Sequence, residues 1–427
     1  MRRLPAVSTR RAGIPVPACP EDTAPLLRRM LHGNCLPFWY PSCIDGDLGG
    51  YRLARDGRGR PTSADWRRCI VTQARMVWFF SRLVAGGHGG PEHLAAAAHG
   101  YRFLGDRMWD PVHGGFYWSV DARSGRPEQD AKHLYGQSFA LFAVSRYAAV
   151  SGDGEAAAFA RTQARLVHDA AHDAVHGGYF ELFTRDWQPW TGMERDFLSE
   201  VPAGTKRYNT HLHWFEALVE YVDLLGGDEA RPWLAELAGI LTDRVVRHEH
   251  AACTDAHRPD WTPMPGLTNY GHDVEAVWML RDAERRTGVV GAGRLGAHLA
   301  LFDSAMRWGW DERHGGFFWA GPPGRPATMR GKDWWAQAEA LVCALMLYKE
   351  TGREAYGVCY LRTLDWIANV QVDWTHGEWH REIAPNGRSV GDKGDGWKAA
   401  YHNGRAMMMC LACLIHEAFG PGSYSLV

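Results

Sequence analysis

Long segments of the chain carry apolar side chains at intervals of three and four residues. Two examples are Phe139, Phe142, Ala143 and Tyr147 in one segment, and Trp214, Leu218, Tyr221 and Leu225 in another. This spacing places apolar residues on one face of a helix, whereas strict alternation would indicate strands. The pattern therefore predicts a chain built mainly from amphipathic α-helices.

A short glycine-rich motif recurs between these helical segments. Its clear copies read DPVHGGFYW, DAVHGGYFEL and DERHGGFFWA, and weaker echoes read DGDLGGY and THGEW. The residue directly before the aromatic is, in chain order, Gly50, Gly115, Gly178, Gly316 and Glu378. The intervals are 65, 63, 138 and 62 residues, so the long one spans two periods and predicts a degenerate copy near residues 245–265. Six units of similar length indicate a repeat architecture.

Each repeat unit is long enough for two helices and a loop, and the Gly-Gly pair lets that loop reverse direction. The apolar runs after Gly-Gly, such as FYWSV and YFELF, predict short β-hairpins in the loops. Twelve helices in six antiparallel pairs can close into an α/α toroid, with an inner ring of helices inside an outer one. We therefore predict an all-α fold with one domain, residues 24–427, after a flexible tail, residues 1–23.

The composition restricts the class of protein. The chain has 427 residues, 46% of them hydrophobic, and a net charge of -2, which gives no electrostatic basis for binding nucleic acid or an anionic membrane. It has no apolar run of the length a membrane helix needs, and its basic, proline-containing leader lacks the apolar core of a signal peptide. We therefore expect a cytoplasmic protein. The 20 tryptophans suggest sugar binding, because indole faces stack on sugar rings, although tryptophan also fills protein cores.

Polar and aromatic clusters recur near the predicted start of each inner helix. Their reference residues are Arg75, Tyr135, Asn209, His272, Trp335 and His402, at intervals of 60, 74, 63, 63 and 67 residues. Clusters in register with the repeat point to the same end of a toroid. The sequence thus predicts one cavity lined by all six inner helices.

His213, His272 and His402 are the residues most suited to chemistry in this cavity, and we assign them equivalent positions in three repeats. Each has a carboxylate or guanidinium three residues onward, so Glu216 or Glu275 could orient an imidazole. Two histidines across a cavity can exchange proton donor and acceptor roles, as inversion of a carbon next to a carbonyl requires. Arg75 is a candidate to stabilise the resulting oxyanion. A purely structural hydrogen bond for each histidine, and a buried ion pair for Arg75, remain alternatives.

The segments NTHLHWFEA, GHDVEA, WWAQAEA and YHNGRA resemble signature segments of the N-acylglucosamine 2-epimerase superfamily, closest to its cellobiose 2-epimerase and mannose 2-epimerase branch. The similarity runs from LPFWY at Leu36 to HNGRAM, nearly the whole chain. It implies an (α/α)6 barrel that uses neither a metal nor a nicotinamide cofactor. It also implies reversible epimerisation at C2 of an aldose through ring opening and a cis-enediol or enediolate.

The resemblance also implies roles for individual residues. His272 and His402 match the acid–base pair. Positions matched to substrate binding are Arg75, Tyr135, Asn209, His213, Glu275, Trp335, Glu339, Trp397 and Arg405, with Trp335 and Trp397 as the walls of the sugar site. The expected partner is a small sugar alone, and the chain would act as a monomer or homodimer.

Two alanines, Ala399 and Ala400, stand where members of the branch commonly have Cys-Pro. A monosaccharide substrate (glucose or mannose) and a cellobiose-type disaccharide therefore both stay open. The alternatives in activity are an aldose–ketose isomerase of the same superfamily, an inverting glycoside hydrolase using Glu275 and Glu339, and a non-catalytic sugar-binding protein.

Overall fold

The computed structural model describes residues 12–190, 202–289 and 295–415. Six long helices form an inner ring, and each packs against the next until the last meets the first. They are α3 (Ile70–Ala85), α5 (Leu134–Ser151), α7 (Tyr208–Leu225), α9 (Tyr270–Thr287), α11 (Trp334–Thr351) and α13 (Tyr401–Ile415). α5 and α11 are buried along almost their whole length, which is why their sequences are apolar on nearly every face.

The outer ring surrounds these helices. It consists of α1 (Ala24–Met30) with α2 (Leu36–Trp39), then α4 (Pro91–Phe103), α6 (Gly154–Ala171), α8 (Arg231–Asp243), α10 (Leu295–Gly309) and α12 (Glu354–Trp366). Single π-helical turns follow α1, α4 and α12. Each inner helix packs on the outer helix that follows it, whereas α13 packs on α1, so the two ends of the chain form the sixth pair. The predicted all-α (α/α)6 barrel is confirmed.

Short strands lie in the loops at the end of the barrel where the inner helices begin. In chain order they are β1 (Arg67–Cys69), β2 (Ser119–Asp121), β3 (Arg126–Gln129), β4 (Lys132–His133), β5 (Leu182–Phe183), β6 (Lys206–Arg207), β7 (Val246–Arg247), β8 (Ala252–Cys253), β9 (Ala256–His257), β10 (Thr268–Asn269), β11 (Ala320–Gly321), β12 (Lys332–Asp333), β13 (Glu382–Ile383) and β14 (Ser389–Val390). Strands that precede inner helices pair antiparallel with strands of the next unit, as in β1–β2, β4–β5 and β12–β13. Neighbouring repeat units are therefore joined by their loops as well as by their helices.

The Gly-Gly turn leads from an outer helix towards the next inner helix, and an aspartate and a cation hold it. In the second unit, Asp110 Oδ1 accepts a hydrogen bond from the backbone of Val112 at 3.0 Å, and buried Lys132 donates to Asp110 Oδ2 at 3.1 Å. Gly114 and Gly115 have φ of 68° and 71°, a conformation that costs glycine little. Equivalent Asp–cation pairs are Asp45–Arg68, Asp173–Lys206, Asp311–Lys332 and Asp373–Lys393.

The fourth residue of each of the first five inner helices anchors the chain leaving the preceding turn. Gln137 accepts from the backbone N–H of Phe116 at 2.9 Å and donates to its carbonyl at 2.8 Å. Gln73 and Gln337 bond the residue after their own turns in the same way. His211 accepts from Tyr179 N–H through Nε2, and Asp273 accepts from Cys253 N–H.

The degenerate copy predicted near residues 245–265 has a different form. There β7 and β8 make a tight hairpin with no Gly-Gly pair, and Ala251 adopts a φ of 44°. In the last echo Glu378 takes the glycine position with a φ of 60°. Its buried carboxylate accepts hydrogen bonds from Trp39, Lys398 and Asn403, which hold the residue in this conformation.

Residues 1–11 of the predicted tail lie outside the described residues. Further along, Ile14 exchanges two hydrogen bonds with the side chain of Asn369, and the hydroxyl of Thr23 lies 2.7 Å from that of Tyr360. The segment from Ile14 to Thr23 thus contacts the outer helix α12 and the turn after it. In the parts of the chain that the structure describes, no helix has both the length and the apolar character to cross a membrane.

Candidate active site

The side chains predicted to share one cavity do come together where the inner helices begin. Trp335 lies between two histidines, with ring centroids 4.8 Å from His272 and 5.7 Å from His402. The ring centroid of Tyr135 lies 5.2 Å from that of His213 and 5.6 Å from that of Trp397. The equivalence predicted for the three histidines is wrong, because His213, His272 and His402 are the sixth, third and second residues of their helices. They meet because different helical positions face the same cavity.

His402 is held by a carboxylate from the neighbouring helix. Its Nδ1 lies 2.6 Å from Oε1 of Glu339 on α11, and the imidazole is buried. Burial, together with the positive charges of Arg75 and Arg405, lowers the pKa of His402 well below its usual range. The neutral imidazole then donates its Nδ1–H to Glu339 and keeps a basic Nε2. The sequence analysis named Arg405 as the neighbour of His402 and did not predict the contact between His402 and Glu339.

His272 lies near the start of α9, where the side chain of Asn269 caps its backbone N–H at 3.2 Å. Its Nδ1 is buried and has no hydrogen-bond partner among the described residues. Desolvation lowers the pKa of His272 to about 4, opposed by the charge of Asp255, a carboxylate held by Arg207 at 2.7 Å. The predicted support of His272 by Glu275 is wrong, because Glu275 points to the barrel axis and accepts from Arg405 instead.

Below the histidines lies a charged layer centred on Arg405. This guanidinium contacts Glu275 at 2.9 Å and Glu339 at 2.8 Å, and it also bonds Glu216 and the hydroxyl of Tyr401. Burial and the neighbouring Glu339 raise the pKa of Glu275 well above its usual range, and burial raises that of Glu339 as well. Glu275, Glu339 and His402 could in principle ligate a metal, with ligand atoms within 4.8 Å of one another. Arg405 already supplies the cation between the two carboxylates.

His213 and Asn209 lie one helical turn apart on α7. Nδ1 of His213 is 3.2 Å from Glu216, as its spacing predicted, and burial lowers the pKa of His213 to about 4. Oδ1 of Asn209 is buried without a hydrogen-bond partner among the described residues, while its backbone N–H donates to Asp255 at 3.2 Å. An unsatisfied amide oxygen beside a cavity is a natural contact for a ligand hydroxyl.

Arg75 is held by uncharged groups. It donates to the hydroxyl of Tyr135 at 3.1 Å and to the carbonyl of Trp397, and it lies 4.2 Å from the ring centroid of Phe139. Within residues 12–190, 202–289 and 295–415 it forms no ion pair, so the alternative of a buried ion pair does not hold there. Its positive charge is left for a ligand in the cavity.

Tryptophans wall the cavity. Trp397, from the loop before α13, is half-buried and lies 5.8 Å from Trp118, while Trp335 meets Trp319 edge-on at 5.7 Å. The sequence prediction missed Trp118 and Trp319, although each stands three residues after a Gly-Gly turn. It also missed Tyr401 and Asp255, which contact the site through residues distant in sequence and carry no local signal.

This cluster of histidines, carboxylates and tryptophans lies on an (α/α)6 barrel, and the relatives of the chain are named epimerases and isomerases, so it is an enzyme of the isomerase class. The profile of the N-acylglucosamine 2-epimerase (GlcNAc 2-epimerase) family matches residues 49–406. The chain belongs to this family.

Individual relatives agree with the family assignment. The chain is 30% identical to the cellobiose 2-epimerase of Eubacterium cellulosolvens over 406 residues, covering 90% of this chain and 96% of the relative. The structure of cellobiose 2-epimerase from Spirochaeta thermophila superposes with a TM-score of 0.83 at 30% identity, covering 93% of this chain and 97% of that one. The D-mannose isomerase of Marinomonas mediterranea is 24% identical over 86% of this chain and 92% of its own length.

Proposed function

We propose that the protein is a carbohydrate 2-epimerase that inverts C2 of an aldose, with His272 and His402 as its acid–base pair. The observation that carries the proposal is the contact of both imidazoles with the single indole of Trp335, at 4.8 and 5.7 Å. Their lowered pKa values keep both imidazoles neutral near pH 7, so either can accept a proton. Inversion needs a base on each face of the reacting carbon.

In this mechanism the sugar ring opens and exposes the C1 aldehyde. One histidine removes the proton from C2. The electron pair of that C–H bond forms the C1=C2 double bond, and the π pair of the carbonyl moves to its oxygen, which gives an enediolate. The other histidine enters the step as its imidazolium, after taking a proton from solvent water, and delivers this proton to the opposite face of C2. Glu339, 2.6 Å from Nδ1 of His402, would stabilise the imidazolium of that histidine during the step.

The negative charge of the enediolate needs positive partners. We assign this role to Arg75, whose guanidinium has neutral neighbours, and assign contacts with the C1 and C2 oxygens to Asn209 and His213. Donors positioned before the reaction stabilise developing charge without reorganisation. Trp335 and Trp397 would stack on the sugar, while Tyr135, Glu275 and Arg405 would hold these side chains in place.

For the substrate we propose the reducing-end sugar of a β-1,4-linked disaccharide, with glucose and mannose as the monosaccharide alternative. Support comes from the cellobiose 2-epimerase relatives and from half-buried Trp397 beside Trp118, a surface that suits a second ring. Ala399 and Ala400 are buried. Their difference from the branch pattern therefore concerns packing behind Trp397 and gives no reason to exclude a disaccharide.

Two alternatives differ in their support. The D-mannose isomerase relative favours an aldose–ketose isomerase as the second candidate. The inverting hydrolase is disfavoured, because such enzymes separate their carboxyl groups by about 6.5–9.5 Å. Glu275 and Glu339 have oxygens within 4.8 Å of each other and share Arg405.

The test is an NMR panel of glucose, mannose, cellobiose, lactose and mannobiose incubated with the enzyme in heavy water. We expect the C2 epimer to appear with deuterium at C2, fastest for cellobiose. A ketose product would replace the epimerase by the isomerase, and new reducing ends would indicate a hydrolase. Binding without exchange at C2 would indicate a sugar-binding protein. We further propose that the enzyme acts in the cytoplasm as a monomer or homodimer without a cofactor, which enediolate chemistry does not require.

A further inference from the structure

The barrel has a second cavity at the opposite end, where the inner helices finish. Its volume is about 90 Å³, and its lining includes Trp78, Arg82, Phe142, Arg146, Glu220 and Arg286. Glu216 and Arg405 of the charged layer form its floor, so this layer separates it from the histidine cavity. We call it the far cavity.

Arg82 is the unusual residue of the far cavity. Its side chain is 6% exposed, and Nη1 is buried with no hydrogen-bond partner among the described residues. The other arginines at the centre are paired, since Arg146 binds Glu220 at 2.7 Å and Arg286 binds Asp223 at 2.7 Å. A buried guanidinium nitrogen that no acceptor satisfies is costly, so Nη1 of Arg82 is a donor open to a ligand, while Glu220 and Asp282 supply opposite charge nearby without bonding it.

The carboxylates of the far cavity are already committed to other arginines. Arg286 contacts all three of them, Glu220, Asp223 and Asp282. Glu220 also accepts hydrogen bonds from Arg146 and from Trp78. In the described part of the chain none of them bonds Arg82. Burial and the positive charge of Arg146 lower the pKa of Arg82 to about 10, against the opposing charges of Glu220 and Asp282, and the group stays protonated at neutral pH.

We propose that the far cavity binds a small oxyanion at Arg82. The planar guanidinium presents paired N–H donors that match a carboxylate or phosphate, and Trp78 and Phe142 shield the contact from water. A volume of about 90 Å³ is more than one water molecule needs and accommodates inorganic phosphate or acetate. No residue assigned to the acid–base chemistry takes part.

The experiment compares thermal unfolding of the wild type, Arg82→Met and Arg82→Lys in phosphate, acetate or sodium chloride at equal ionic strength. The control variant is Arg58→Met, which replaces an exposed loop arginine. We expect about 50 mM phosphate to raise the unfolding temperature of wild type and R58M by roughly 2 °C above chloride. R82M should show no rise and R82K a smaller one. Without oxyanion, R82M should be about as stable as wild type, because it removes a buried donor that has no acceptor among the described residues.

Two results would overturn the proposal. One is an equal phosphate response in wild type and R82M, which would place the anion elsewhere. The other is no response beyond chloride in the wild type, which would mean that water alone solvates Arg82. Isothermal titration with phosphate measures the same contrast directly, with binding at least tenfold weaker in R82M than in R58M.

Discussion

The fourth and the sixth residue of the inner helices differ in how much their chemistry varies among the repeats. The fourth residue faces the turn and does the same work in five helices, anchoring the chain after the turn as Gln, His or Asp. The sixth residue varies in chemistry from helix to helix. It is, in chain order, Arg75, Phe139, His213, Glu275, Glu339 and Ala406.

The difference shows how a repeated fold can carry an asymmetric site. The turn must satisfy the same backbone groups in every repeat, so its partners keep one function. The cavity has no such local requirement, and six helices can each supply a different group to it. The comparison predicts that changes at turn-facing positions affect stability, whereas changes at positions that face the histidines, including the third residue of α9 and the second of α13, affect turnover.

The largest expected effect is at the cavity histidines. His272→Ala and His402→Ala should each lower kcat by about 10²–10⁴-fold, because a positioned acid or base is lost. His211→Gln serves as the histidine control, since His211 faces the turn and four other repeats have glutamine or aspartate there. Steady-state kinetics on the sugar that proves active checks this. Wild-type turnover in either alanine variant would remove the two-base mechanism.

The second effect is a loss of stability in the turn layer. Lys332→Met leaves buried Asp311 without its 2.8 Å partner and should lower the free energy of unfolding by about 3 kcal/mol. Lys349→Met, at the half-exposed end of the helix α11 that follows Lys332, should change it by less than about 0.5 kcal/mol. Urea unfolding followed by tryptophan fluorescence measures both. Equal stability in the two variants would mean that the Asp–Lys pair does not hold the turn.

A smaller effect separates the two glutamates of the charged layer. Glu339→Gln should lower kcat about 10–100-fold with little change in KM, because the carboxylate that orients His402 loses its charge. Glu275→Gln should lower kcat less than tenfold, since Glu275 lies 3.9 Å from His402 Nδ1 and its raised pKa favours the neutral form. The pH profile of kcat should move only in E339Q. The reverse order of effects would assign the supporting role to Glu275.

The smallest effect concerns acid stability. Burial lowers the pKa of His211 to about 3, so between pH 6.5 and 3 the unfolded chain binds a proton that the folded protein does not. This histidine's share of the stability is present above pH 6.5 and is lost as pH falls. Between pH 7 and pH 5 the free energy of unfolding should fall by about 2 kcal/mol less in H211Q than in the wild type. Urea unfolding at both pH values measures this difference. Gln137→Met changes the corresponding fourth residue of α5, where the wild type has no titrating group. The pH dependence of its unfolding free energy should therefore match that of the wild type.

The sequence allowed prediction of what repeats locally. The Gly-Gly spacing gave six helix pairs, because each turn and its aromatic residue lie within one short segment. It also placed Trp335 and His402 in one cavity. The partners of His402 and Glu275 could not be predicted, because they come from α11 and α13, and their meeting depends on how far apart the inner helices lie. The relative helical positions of His213 and His272 failed for a related reason: the sequence shows where a cluster occurs but not which residue begins the helix.

The pairing of α1 with α13 has a consequence for biosynthesis. A nascent chain emerges with α1 before α13, yet α13 covers part of the apolar face of α1. Because α13 also carries His402, the ring cannot close and the site cannot gain its second histidine until α13 has been synthesised. Ribosome-bound intermediates would therefore be inert toward sugar, and the early helices would need protection from aggregation until the final one arrives.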